Sequence, residues 1–123
     1  MAGKKNWYFP DAELPPKGDG TELFGHESII LLNPNPKDAH VRITVYWVNR
    51  SPEKCATITV NAERVLCLRI VDGAGLAGVD IPVGEQYAIA LESDLPIVAQ
   101  YGRLDVRQSN MAFYTTPGLR NNG

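Results

Sequence analysis

His40-Val41-Arg42-Ile43-Thr44-Val45-Tyr46-Trp47-Val48-Asn49, residues 40–49, is the stretch that decides the fold class. Val41, Ile43, Val45 and Trp47 alternate with Arg42, Thr44, Tyr46 and Val48, a period of two. Successive side chains of an extended strand point to opposite faces, so the first set lines one side of a sheet. A helix would scatter the same residues around its circumference. The segment reads as a strand.

Working outward, similar runs rich in Val, Ile, Thr and Tyr fall near residues 6–9, 26–33, 54–60, 64–71, 86–92, 96–104 and 111–116. These residue types suit a pleated, half-buried surface. Turn chemistry separates the runs: Asn33-Pro34-Asn35-Pro36, Ser51-Pro52, Asn61-Ala62-Glu63, Asp72 to Gly78, and Ser93-Asp94-Leu95-Pro96. No stretch holds a 3.6-residue period with a cap and a stop. The expected fold is all-β, a single antiparallel β-sandwich of about eight strands in one domain over residues 1–123. Residues 10–21 are expected to form the one long loop.

Two of these strands are apolar on both faces. Tyr46 and Val48 add bulk opposite Val45 and Trp47, and Val98 and Leu104 lie opposite Ile97, Ala99 and Tyr101. An antiparallel sheet with one wet face should be polar there. Either a neighbouring copy of the chain covers the excess, which makes the protein an oligomer, or loops at the strand ends do.

Composition excludes several classes. Twelve Lys+Arg against 14 Asp+Glu give a formal charge of −2, whereas a dedicated nucleic-acid binder carries a basic excess. The apolar run Ile29-Ile30-Leu31-Leu32 is far short of the roughly 20 residues a membrane-spanning helix needs. Trp7-Tyr8-Phe9 before Pro10 is too short for a secretory signal, so the expected location is the cytoplasm.

Cys55 and Cys67 pair by count but not by geometry. If 54–60 and 64–71 form a hairpin around Asn61–Glu63, the cysteines lie three residues out of register. At about 3.3 Å per residue that is roughly 10 Å, beyond the ~7 Å Cα separation of a disulfide. Free, mostly buried thiols are expected. Gly73-Ala74-Gly75-Leu76-Ala77-Gly78 spells a dinucleotide-binding fingerprint, yet Pro82 and Gly84 forbid the helix that such a site needs. His26, His40, Glu92 and Asp94 lack metal-ligand spacing, and no serine sits in a nucleophile elbow. The residues therefore give no catalytic constellation, no metal site and no cofactor.

Arg103, Asp105 and Arg107 are the most informative polar set. On an extended strand all three point to one face as a plus-minus-plus ladder, with Gln108 beside them. Guanidinium forks grip carboxylates, phosphates and vicinal hydroxyls, so the set suits an anionic or sugar-like ligand, with Trp7 or Tyr8 as a stacking partner. Its structural alternative is an ion-pair network that pins the strand end or joins subunits, with Glu92 or Glu27 as partners.

The order of the segments resembles the sensory rhodopsin transducer family. Trp7 precedes a Pro-Gly loop, and His26-Glu27-Ser28 leads to Leu31-Leu32-Asn33 and Asp38-Ala39-His40-Val41. Glu92-Ser93-Asp94-x-Pro96 and Arg103-Leu104-Asp105-x-Arg107-Gln108 follow. The match covers nearly the whole chain, departing at the glycine-rich 72–80 connection and after Thr116. The resemblance implies a β-sandwich that assembles as a cyclic homotetramer. It also implies a cytoplasmic, non-enzymatic protein that meets a membrane photoreceptor or another signalling protein and passes a signal on. Related domains resemble carbohydrate- or small-ligand-binding sandwiches. Two functions stay open: a docking module, and a ligand-binding module using the Arg103/Asp105/Arg107 face. DNA contact, a third, sits poorly with the acidic balance.

Overall fold

A computed structural model of the chain describes residues 3–19, 23–107, 112–116 and 119–121. Its strands are β1 (Lys4–Glu13), β2 (His26–Asn33), β3 (Ala39–Trp47), β4 (Glu53–Lys54), β5 (Ile58–Val60), β6 (Arg64–Ile70), β7 (Gln86–Asp105), β8 (Ala112–Thr116) and β9 (Leu119–Asn121). No helix occurs among the described residues. In β3 the sequence alternation is carried through: Val41, Ile43 and Val45 are buried, while Arg42 and Tyr46 are exposed.

All strand pairings are antiparallel, and β7 organises them. Its first half pairs with β1 on one side and β3 on the other, as in Tyr8↔Ala90↔Thr44. Its second half pairs with β2 and β8, and β6 lies beyond β2. One strand thus belongs to both halves of the architecture. The described residues form a curled antiparallel sheet, a half-barrel, of nine strands, where the sequence predicts a sandwich of about eight. Inside the curl sit Trp7, Phe9, Ile29, Leu31, Ile43, Tyr87, Leu91 and Tyr101, each almost wholly buried. Burying a side chain of this size is worth about 1.5–3 kcal/mol, so this interior is what holds the curl closed.

Three expectations about the chain's path are corrected. The strand expected at 6–9 runs on through Pro10 to Glu13. Between Phe9↔Ile89 and Ala12↔Tyr87, β1 has one residue more than β7, a bulge that contains Pro10 and Asp11. A bulge is one of the few places where a proline without an N–H fits a sheet. The strands expected at 86–92 and 96–104 are one continuous strand, with the supposed turn inside it. Between Asn6↔Glu92 and Lys4↔Ile97, five steps of β7 oppose two of β1, and Ser93 to Pro96 occupy that surplus. Here turn chemistry bends a strand without reversing it. The Leu95 N–H donates to Ser93 Oγ at 3.3 Å, and the His40 N–H donates to Asp94 Oδ1 at 2.8 Å.

The third correction concerns the hairpin expected around Asn61–Glu63. β5 pairs with β3, whereas β6 pairs with β2, so this turn carries the chain from one half of the sheet to the other. Buried Asn33 anchors the crossing, its Nδ2 donating to Val60 O at 3.0 Å and Asn61 O at 3.2 Å. Both cysteines are free, but they are not mostly buried: Cys55 is half-buried and Cys67 exposed. Gly73 to Gly78 opens no helix. Leu76 and Val79 exchange backbone hydrogen bonds of 2.8 and 3.0 Å in a tight turn, and both side chains join the core.

Candidate functional site

The sequence-expected site residues separate into three places. Glu27, Arg103, Asp105 and Arg107 lie together where β2 meets the far end of β7. Glu92 lies on the outer face of the first half of β7, ion-paired with Arg42 of β3. Trp7 is a core residue, 3 % exposed, and its indole N–H is shared between Lys4 O at 3.0 Å and Ile97 O at 3.2 Å. Gln108 lies outside the described residues.

Glu27 and Arg103 are direct register partners on antiparallel strands, so their side chains share the inner face with Ile29 and Tyr101. Gly25 sets the approach: a Cβ there would stand 2.0 Å from the Pro16 carbonyl oxygen, so only glycine lets the loop pass before β2 begins. The Glu27 side chain then enters the interior and is fully buried. Its Oε1 accepts from the Tyr87 hydroxyl at 2.6 Å. Its Oε2 accepts from the Tyr101 hydroxyl and from the Glu13 backbone N–H at 3.1 Å. One carboxylate thereby joins β1, β2 and both halves of β7.

Burial pushes the Glu27 carboxyl above the usual range, against the opposing pull of the two phenols, the Glu13 amide and the Arg103 charge. Burial and the adjoining carboxylate push Tyr87 and Tyr101 far up as well, so both stay protonated donors. The arrangement can hold a charge or a proton in a fixed place. Sequence reading proposed Glu27 as a partner of the arginine set and missed Tyr87 and Tyr101. Nothing local marks them, because they reach Glu27 only through the pairing of distant strands.

At the mouth of this interior, Arg107 grips Asp105. Arg107 Nε donates to Asp105 Oδ1 at 3.0 Å and Oδ2 at 2.9 Å, and the Arg107 backbone N–H donates to Oδ1 at 3.0 Å. The guanidinium holds the Asp105 carboxyl below its ordinary value, with the backbone bond adding to the effect. The expected ladder is therefore folded on itself: β7 ends at Asp105, and Arg107 turns back to it. The ion-pair alternative describes this contact, with Asp105 as the partner of Arg107, and Glu92 is engaged elsewhere.

Other candidate groups are accounted for nearby. His40 Nδ1 pairs with Asp94 Oδ2 at 2.9 Å on the exposed edge of β3. The Cys55 thiol is pushed up to about 11 by burial and by Glu53, which leaves it a poor nucleophile. No group of three His, Cys, Asp or Glu side chains capable of holding a metal occurs among the described residues. No helix there is long and apolar enough to cross a membrane.

Against known families, the model of the Anabaena sensory rhodopsin transducer matches residues 2–119. The chain belongs to that family. The transducer resemblance carried by the His26-Glu27-Ser28 and Arg103-Leu104-Asp105 blocks is thus established over nearly the whole sequence. Among solved structures, the crystal structure of Thermotoga maritima 1070 is 32 % identical, with a TM-score of 0.86, covering 100 % of this chain and 99 % of that one. The Anabaena sensory rhodopsin transducer itself is 32 % identical, with a TM-score of 0.70, covering 89 % of this chain and 96 % of that one. No curated protein matches the sequence.

Proposed function

We propose that this transducer-family chain is a non-enzymatic, cofactor-free signalling module that assembles as a cyclic homotetramer in the cytoplasm and docks to a membrane photoreceptor or another signalling protein. The observation that carries the reading is an apolar row on the outer face of the second half of the sheet. Val65, Leu32 and Val98 stand side by side on β6, β2 and β7 through the pairs Leu32↔Val65 and Leu32↔Val98. They are 65 %, 41 % and 37 % exposed. No loop among the described residues covers them, and Ile30 and Cys67 continue the strip one row along. A contiguous apolar face of this kind supports a protein contact more readily than solvent exposure. A closed ring needs the same head-to-tail contact at each joint, and this strip supplies one side of such a contact.

Light scattering tests the assembly and titration into a detergent-solubilised sensory rhodopsin tests the docking. Wild type should run as a tetramer and bind the receptor, and Leu32→Asp should reduce the size, the binding or both. A monomeric wild type with no receptor affinity would overturn the reading.

A second reading keeps a carbohydrate or small-anion site at Arg103, Asp105 and Arg107. Its support is the gathering of these residues with Glu27 at one mouth, and a ligand there must compete with Asp105 for Arg107. Arg107→Ala should then abolish a ligand-induced rise in melting temperature while leaving the assembly whole.

A further inference from the structure

The first half of β7 carries a groove on its outer face, apart from the Arg103–Arg107 set and the apolar strip. It encloses about 410 Å³ and is lined by residues of β1, β3, β4, β7 and the segment that follows β4. That volume falls within the roughly 300–1,000 Å³ of small-molecule sites. Register fixes its plan. Tyr8, Ala90, Thr44 and Lys54 form one row across four strands, and Asn6, Glu92 and Arg42 form the next. Ala90 is the floor, because its methyl group is the smallest side chain in its row. Tyr8, 39 % exposed, stands beside it on β1, and Tyr46, 45 % exposed, stands one row along on β3 opposite Ala88.

From this geometry we infer that the groove binds a small hydroxylated ring carrying one negative charge. Three features select that class. The floor is a small methyl group with one phenol beside it on β1 and a second a row along on β3, apolar ring surface that a ligand ring can contact. Charge is unbalanced by one: Arg42 and Glu92 pair with each other, while Lys54 has no carboxylate partner among the described residues. The rest of the lining, with Thr44, Thr57, the two phenols and the exposed Arg42–Glu92 pair, offers donors and acceptors together. A hydroxyl group both donates and accepts, so it fits such a mixed wall better than a purely accepting or purely donating ligand does. The site goes beyond the docking function, and it stands on the opposite half of the sheet from both the apolar strip and the Arg103–Arg107 mouth.

Calorimetric titration of the full chain tests the inference with three probes. Glucuronate has the ring, the hydroxyls and the charge; glucose lacks the charge; inorganic phosphate lacks the ring. Glucuronate should bind at millimolar concentration, and glucose should bind about tenfold more weakly or less. Lys54→Ala should weaken glucuronate by about tenfold, and Ala90→Leu, which fills the floor, should abolish it. Arg107→Ala should change nothing. Thermal melts establish that the variants fold, and Lys54→Ala, at an exposed position, keeps the test valid should Ala90→Leu not fold. Absence of glucuronate binding, equal binding of phosphate, or loss in Arg107→Ala with retention in Lys54→Ala would each overturn the groove. Assembly and receptor binding report separately on the docking function, through Leu32 on the other half.

Discussion

The two halves of β7 face the same interior and opposite tasks. From Gln86 to Glu92 the inner side is Tyr87, Ile89 and Leu91, and the outer side is small or charged: Ala88, Ala90 and Glu92. From Ile97 to Asp105 the inner side begins apolar with Ile97 and Ala99 but ends at Tyr101 and Arg103, beside the buried Glu27. The outer side there carries Val98 in an exposed apolar strip. Of the inner residues of the first half, Ile89 and Leu91 contribute packing, and Tyr87 adds one hydrogen bond to Glu27. Those of the second half position a charge. Alternation serves both equally well, and what differs is the row of neighbours that each half acquires from other strands.

The largest effects should come from the packed half. Leu91→Ala leaves a cavity beneath β1 and β3 and should cost about 2–5 kcal/mol, measured by urea unfolding. A loss below about 1 kcal/mol would mean that this interior is loosely packed and that the contrast between the halves is false. In the second half, Tyr101→Phe keeps the ring and removes one of the donors to Glu27 Oε2. Leaving that buried carboxylate less satisfied should cost about 1–3 kcal/mol.

The pH dependence of stability sharpens the comparison further. The Glu27 carboxyl is raised above its ordinary 4.5, so the folded protein holds that proton more tightly than the unfolded chain. Its contribution is therefore fully present below the unfolded value and is lost as pH rises through the folded value. Wild type should gain stability relative to Glu27→Gln as pH falls from neutral toward 4.5. Asp94 and Asp105 are held below the ordinary 3.8, so their contributions persist through this window and are lost only at lower pH. Unfolding curves of the two proteins that stay parallel from neutral to pH 4.5 would show that burial does not dominate at Glu27.

The smallest stability effect should be at the surface. Val98→Asp should change unfolding free energy by no more than about 0.5 kcal/mol, yet reduce assembly size on light scattering. A variant that stays assembled would remove the outer strip from the contact and leave the two halves alike in function.

Much of this was legible in the chain itself. The parity of Val41, Ile43 and Val45, the placing of Tyr46 and Val98 on the opposite face, and the lack of a helix after the glycine run all follow from period and turn chemistry. The transducer family was legible from short blocks of charged and small residues. Pro10 and Pro96 misled, because proline marks a break in hydrogen bonding, and a bulge or a bend supplies that break as well as a loop does. The site was half legible. Glu27 and Arg103 stood out by charge, whereas the two tyrosine donors and the Arg42–Glu92 pair arise from residues that are distant in sequence.

By itself, the sequence determined which side of each strand turns inward, because side-chain direction alternates at every residue whatever the strand pairs with. Only the tertiary structure decided which strands became neighbours, and so which outer residues were gathered into a groove and which into an apolar strip. Backbone hydrogen bonds are the same for every pairing. The choice among pairings rests on the summed burial of side chains far apart in the chain, and no local window contains that sum.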